Sequence, residues 1–441
     1  MKNQMEMSDK RNKYEALFNE NSFKLKRILE SIIVGMLTGV IISFLRFLVD
    51  KSGYLLANTY KTISLKYWLI PIWIIFLIII GYIIGLIAKK NAAIRGSGIP
   101  QVEGVLLEKL DMTWWKVILG KFVGSFLAIG TGLSLGIEGP SVQLGAAVGQ
   151  GFSKILKKIK IEEKYLIISG TSAGIAAAFN APLAGTMFAL EEISKKLSPT
   201  ILISAFSAAA ASNFISYQFF GFKPVFDFRN VPRLPLNCYL FIIVLGIIIG
   251  VLGVVFNKVL VKTQNIFSMQ KWIPIQFRPM FCLAISIFIG FLLPQILGEG
   301  NMLIMSLAKG NIAIKMLVIL LVCKFMFSMI CCGSGTPGGI FLPLFTVGAL
   351  IGAIYGSAAT YLFHINSSYI GIFIILAMAG YFSSVIRAPM SGSILVVEMT
   401  GSFSNLLPVA IIAVVSYLTA YVLKSKPIYE TLLEKLLISN R

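Results

Sequence analysis

Long apolar runs separated by short polar stretches dominate this chain. Windows long enough to cross a hydrocarbon core, about 20 apolar residues each, fall at 31–49, 67–88, 117–137, 165–192, 199–220, 237–262, 279–297, 314–332, 338–363, 369–400 and 407–424. They predict an all-α integral membrane protein. The organisation that follows is a cytoplasmic N-terminal segment over 1–30, a transmembrane transport domain over 31–424 and a short amphipathic tail over 425–441. Composition agrees, since 57% of residues are hydrophobic and only 13% charged, unlike a soluble protein.

Several windows are interrupted by Gly and Pro where a simple crossing helix would run straight. In hydrocarbon a freed backbone group is costly unless it lines a cavity, so the breaks are candidate ion sites. Two breaks recur in the other half of the chain. GIEGPSVQLGAAVG (136–149) lines up with GGIFLPLFTVGALIG (338–352), matching Pro140 to Pro343 at an offset of 203 residues. FNAPLAGTMFALEE (179–192) lines up with IRAPMSGSILVVEM (386–399), matching Pro182 to Pro389 and Glu191 to Glu398 at an offset of 207. Two ordered matches at nearly one offset predict a duplicated unit of roughly 200 residues, with repeats near 31–220 and 237–424. Transporters built from repeats place the substrate near the midplane, between half-helix N-termini whose dipoles favour an anion.

The formal charge of +20 changes the picture less than its size suggests. Its clusters, Lys10, Arg11, Lys13, Lys24, Lys26 and Arg27, then Lys154, Lys157, Lys158 and Lys160, lie outside the apolar windows. The positive-inside rule explains them without a nucleic-acid partner and places both termini in the cytoplasm. The first thirty residues lack the apolar core of a cleavable signal, so the first span should direct insertion. Cys238, Cys282, Cys323, Cys331 and Cys332 have no metal-type spacing and read as reduced packing residues. No cofactor is expected.

Glu138 stands in an otherwise uncharged stretch between Gly136-Ile137 and Gly139-Pro140, and an ionisable residue at such depth is a functional candidate. A carboxylate at the mouth of an anion site is a tethered anion: it can fill the site and leave on protonation, which links anion and proton movement. Ser97 offers a hydroxyl at a helix-opening Gly-Ser-Gly-Ile-Pro, either as an anion donor or as a helix cap.

At these residues the chain resembles the CLC family of chloride channels and chloride/proton antiporters. The signature stretches are Gly96-Ser97-Gly98-Ile99-Pro100, Gly136-Ile137-Glu138-Gly139-Pro140 and Gly338-Gly339-Ile340-Phe341-Leu342-Pro343, supported by Phe179-Asn180-Ala181-Pro182 and Lys426-Pro427-Ile428-Tyr429. The resemblance runs from about residue 30 to Tyr429 and implies about eighteen tilted, broken helices in two inverted-topology repeats, assembled as a homodimer with one pathway per subunit. It implies that Glu138 is the external gating glutamate, that Ser97 and Tyr429 are paired hydroxyls at a central anion, and that the N–H groups of Ile340 and Phe341 complete its shell. Glu192 resembles the internal glutamate through which antiporters of the family pass protons. Ile137 departs from the family, whose members often carry a basic residue there. Serine at 97, where nitrate-selective relatives carry proline and fluoride exporters methionine, implies chloride.

The reading is therefore exchange of chloride for protons in the plasma (inner) membrane of a prokaryote, with lipid as solvent. A passive chloride channel differs only in lacking proton coupling through Glu192, which would then be a solvated partner of Lys195 or Lys196. Ser97 and Tyr429 argue against a fluoride/proton antiporter. The hydrolase-like patterns around Ser134 and Ser172 lack a base near them in sequence, because the only histidine is His364; an enzyme is not expected. Glu191 and Glu398 read as structural, with Glu398 capping a neighbouring helix or pairing with Arg387.

Overall fold

The computed structural model describes residues 20–270, 273–308 and 312–439. The basic residues Lys10, Arg11 and Lys13 of the N-terminal cluster lie outside them. The described chain forms seventeen α-helices with no strand among the described residues. In the first half these are α1 (Glu20–Leu65), α2 (Ile70–Lys90), α3 (Ile99–Leu106), α4 (Trp114–Gly130), α5 (Glu138–Ile155), α6 (Lys160–Phe179), α7 (Pro182–Phe188) and α8 (Pro199–Phe220). The second half repeats the order with α9 (Tyr239–Met269), α10 (Arg278–Leu292), α11 (Asn301–Ala308), α12 (Ile314–Gly333), α13 (Phe341–Phe363), α14 (Ile370–Ile386), α15 (Pro389–Thr400) and α16 (Leu406–Val422). A last helix, α17 (Ile428–Ser439), stands outside the duplication. Nine helical segments among the described residues are long and apolar enough to span a bilayer.

The breaks fall where sequence chemistry requires them. The 165–192 window is two helices, because Asn180 takes a left-handed conformation (φ 53°) and the Pro182 ring starts α7. The 369–400 window divides the same way at Arg387 (φ 75°) ahead of Pro389. In 117–137 the helix ends at Gly130 and the chain runs on without helical structure to Glu138.

Three reciprocal contacts show how the repeats face each other. Gly136 and Gly339, equivalent at the 203-residue offset, exchange backbone hydrogen bonds of 2.9 and 2.7 Å as an antiparallel bridge. Glu398 accepts from the N–H groups of Leu183 (3.2 Å) and Ala184 (2.7 Å) at the start of α7. Glu191 accepts from Met390 (3.2 Å) and Ser391 (2.7 Å) at the start of α15. Contacts that map onto themselves when the halves are exchanged define a pseudo-two-fold axis. Both glutamates are thus helix caps; Arg387 turns instead to the carbonyls of Tyr417 and Ser425.

Glycines spaced GxxxG, such as Gly35 and Gly39, serve packing within the chain. Gly35 and Gly39 lie against the backbone of Ala208 and Ser212, which sets α1 and α8 side by side and parallel. Farther along, Arg46 stacks on Phe220 at 4.1 Å. Lys24 to Arg27 and the start of α8 therefore share one face of the membrane domain, the basic face. Asp50 lies about 39 Å along α1 from Lys24 at 1.5 Å per residue, which puts it at the opposite face. Because α8 ends at that opposite face, α9 sets out from it, and the second repeat is inverted.

Candidate functional site

Four helices begin at one place: α3 after Ser97, α5 at Glu138, α13 at Phe341 and α17 just before Tyr429. Their N-termini leave backbone N–H groups without intrahelical acceptors, and their dipoles add positive potential. Glu138 is fully buried. Its Oε1 accepts hydrogen bonds from the N–H of Phe341 and from the N–H of Leu342, the latter at 3.2 Å. The carboxylate of one repeat thus fills an anion position at the first turn of the other repeat's helix. The donors to Glu138 are Phe341 and Leu342, while Ile340, which the family resemblance assigns with Phe341 to the central anion beside Ser97 and Tyr429, is the N-cap of α13. The sequence reading named no backbone donor to Glu138, because the pointing of a first-turn N–H depends on the helix start, which falls at Phe341.

Beside this position lie two hydroxyls without hydrogen-bond partners. Ser97 and Tyr429 are buried, neither hydroxyl makes a well-formed hydrogen bond to protein, and they lie near enough to interact with one another. A buried donor without a partner costs roughly 1–3 kcal/mol, so two together mark a place meant for a ligand. Ser97 is not the helix cap; Gly98 is, with φ at 97°. The Ser97 oxygen lies against Gly139, where an added Cβ would stand 2.5 Å from it, so no larger residue fits at 139. An apolar collar surrounds this position. The Phe341 ring meets Phe382 at 4.9 Å and Phe188 at 5.3 Å edge-on and lies tilted against Tyr429 at 6.1 Å, an apolar surround.

A cavity of about 390 Å³ leads to Ser97 from the basic face. Arg95, Arg278 and Lys435 line it, a positive funnel that raises local anion concentration. Tyr429 lies in the tail drawn from sequence at 425–441, yet α17 packs against α3 and buries that side chain completely.

Glu192 lies apart from this cluster, on a widened π-type turn over Ala189–Ser194 at the basic face. It is buried, its Oε1 has no hydrogen-bond partner, and Lys195 passes it by to bridge Glu103 (2.6 Å) and Glu430 (2.7 Å). A solvated pair with Lys195 is therefore not what holds Glu192. Ser134 is bonded to Ser328 at 2.8 Å, and His364 is exposed at the end of α13; the structure does not bring serine and base together. The five cysteines are free.

Both loops ahead of the short helices are built alike. Fully buried Lys121 donates to the carbonyls of Ile94 (3.1 Å) and Gly96 (2.6 Å). Fully buried Lys324 donates to Ile296 (2.9 Å) and Gly298 (2.8 Å). Gly96 and Gly98 have φ of 63° and 97°, Gly298 and Gly300 66° and 102°. Only glycine adopts such angles easily. The loop 298–300 is thus the counterpart of 96–98, a third internal match. The sequence signal, Gly-x-Gly at an offset of 202, is too short to stand out alone.

Comparison with known proteins agrees with this architecture. Residues 76–421 match the family described as voltage gated chloride channel. An H(+)/Cl(-) exchange transporter ClcA of Salmonella paratyphi B is 31% identical over 97% of this chain and 92% of its own. The crystal structure of a slow cyanobacterial Cl-/H+ antiporter superposes with a TM-score of 0.88 at 26% identity, covering 94% of this chain and 99% of the other. That of a CLC-type fluoride/proton antiporter gives 0.74 at 25% identity over 91% and 96%. The chain belongs to the voltage-gated chloride channel family, the CLC proteins.

Proposed function

We propose that this chain carries chloride across a membrane in exchange for protons. One observation carries the reading: the buried Glu138 carboxylate occupies the anion position offered by the N–H groups of Phe341 and Leu342. Chloride and the ionised side chain compete for the same donors, so chloride moves through when Glu138 accepts a proton and swings away. Ser97, Tyr429 and the first turn of α13 hold the anion one step further in. Glu192, buried at the basic face without a bonding partner, passes protons between that face and the interior. The names of whole-length relatives, exchange transporter and antiporter, support coupling over passive conduction.

The basic face is cytoplasmic by the positive-inside rule, which sets both termini inside and Glu138 toward the outer half. The membrane is a prokaryotic plasma membrane, and the protein acts as a transporter and not an enzyme. Two copies assemble as a homodimer, each with its own pathway.

Purified protein in liposomes under a chloride gradient, with membrane potential clamped, tests this. The expected result is proton movement against its own gradient, driven by chloride. Chloride flux without proton movement would leave a channel.

A further inference from the structure

Glu299 is a buried carboxylate that the exchange mechanism does not use. It occupies, in the loop 298–300, the position that Ser97 occupies in 96–98, held by the same Gly-x-Gly geometry and a buried lysine. Its Oε1 accepts from the N–H of Ile137, the N-cap of α5, at 3.1 Å, and its Oε2 from Asn301 Nδ2 at 3.0 Å. The relation to Glu138 is a crossing: Glu138 of α5 reaches the first turn of α13, and Glu299 from the second repeat reaches the start of α5. Each of the two facing helix N-termini already holds a carboxylate.

Behind Glu299 a cavity of about 160 Å³ leads to the face where Asp50 lies. Asp50, Tyr54 and Asn301 line it with Glu299. The charged and titratable groups that face Glu299 are Arg46 and Asp50 of α1, Tyr54 and Tyr60 of α1 in the cavity wall, Glu138 of α5 and Lys324 of α12. Arg46 is turned to the Ala177 carbonyl and Asn180, 3.9 Å from Asp50, and Lys324 to its two carbonyls, so neither forms an ion pair with Glu299. From the inner side, chloride meets a basic funnel ending on a hydroxyl; from the outer side it meets a cavity ending on a carboxylate.

We propose that Glu299 is a second gating carboxylate, at the outer mouth. Ionised, it occupies the start of α5 where an incoming anion would bind; protonated, it gives up its claim on the Ile137 N–H and the mouth opens. No covalent step is involved, only transfer of a proton from outer water. The inference rests on the chloride pathway proposed above.

The test uses full-length protein in liposomes and reads chloride flux at equal pH on both faces, in a Glu138→Gln background that removes the titration of the first gate. Flux through Glu138→Gln should rise as pH falls, by up to about tenfold per pH unit, the limit for one titrating group. Adding Glu299→Gln, which keeps an oxygen for the Ile137 N–H, should hold flux at the high level and flatten the profile. A flat profile in Glu138→Gln alone overturns the second gate and decides the matter even if the double variant does not fold. An unchanged slope in the double variant overturns it as well. Absence of chloride flux in the unmodified protein would instead remove the transport reading beneath it.

Discussion

The two loops that end the two cavities have one backbone and opposite chemistry. Gly96-Ser97-Gly98 closes the cavity at the basic face with a hydroxyl, and Gly298-Glu299-Gly300 closes the cavity at the opposite face with a carboxylate. The same holds one layer in: Glu138 and Phe341 are equivalent at the 203-residue offset, yet one is the tethered anion and the other lends it an N–H. Duplication supplies a symmetric frame of helix N-termini, buried lysines and capping glutamates. The side chains that break the symmetry make the two mouths chemically different, while the ion gradients set the direction of net movement.

The comparison is broken most severely at Glu192, which has no acidic counterpart: residue 399, at the 207-residue offset, is methionine. Glu192→Gln should abolish chloride-driven proton movement while leaving chloride flux near its original rate, measured by parallel proton and chloride recordings. Loss of both would make Glu192 a structural residue.

The shared frame offers a smaller effect. Lys121→Met and Lys324→Met each remove the lysine donor from one buried carbonyl, that of Ile94 or Ile296, and from one part-buried carbonyl, and an unsatisfied buried group costs about 1–3 kcal/mol. Both variants should melt earlier in detergent, but they should part in transport. Lys121→Met loosens the Ser97 loop and should weaken chloride binding, whereas Lys324→Met loosens the Glu299 loop and should alter the pH profile. Identical transport defects would argue that the loops do not differ in role.

Smaller still, Glu191→Ala and Glu398→Ala remove equivalent caps, each worth roughly 1–2 kcal/mol. Both should lose thermal stability, Glu191→Ala by more because Glu191 also accepts from the Ser391 hydroxyl at 2.6 Å, and no loss in either would contradict the capping role.

At the surface, the bonded Arg229 guanidinium holds the exposed Asp227 carboxyl down to about 2. A depressed carboxyl contributes stability above its ordinary range and loses it only as pH falls toward that value, so this pair stays charged from about pH 5 to 8. Asp227→Asn should leave the transport pH profile unchanged over that range, which isolates the buried carboxylates as its source.

Much of this arrangement was legible in the sequence. Apolar length gave the membrane domain, and the Gly-Pro break around Glu138 marked it as a candidate because broken helices in lipid have few uses, whereas Phe341 entered only through the family resemblance. The repeat offset predicted duplication. Inversion was not legible from spacing, since it resides in contacts such as Gly136 with Gly339 that no local pattern encodes. The role of Leu342 depends on where a helix starts to within one residue. Glu299 was passed over because a glutamate between glycines near the end of an apolar run reads as a loop; its burial and its bond to Ile137 exist only once the second repeat folds over the first.

The central claim is that the Glu138 side chain and chloride compete for one position. Calorimetric titration of chloride into purified protein at several pH values tests it directly, with Glu138→Gln alongside. Affinity in the unmodified protein should weaken as pH rises and the carboxylate ionises, and binding to Glu138→Gln should be tighter and lose most of that dependence. Equal affinities with equal pH dependence in the two proteins would contradict the account.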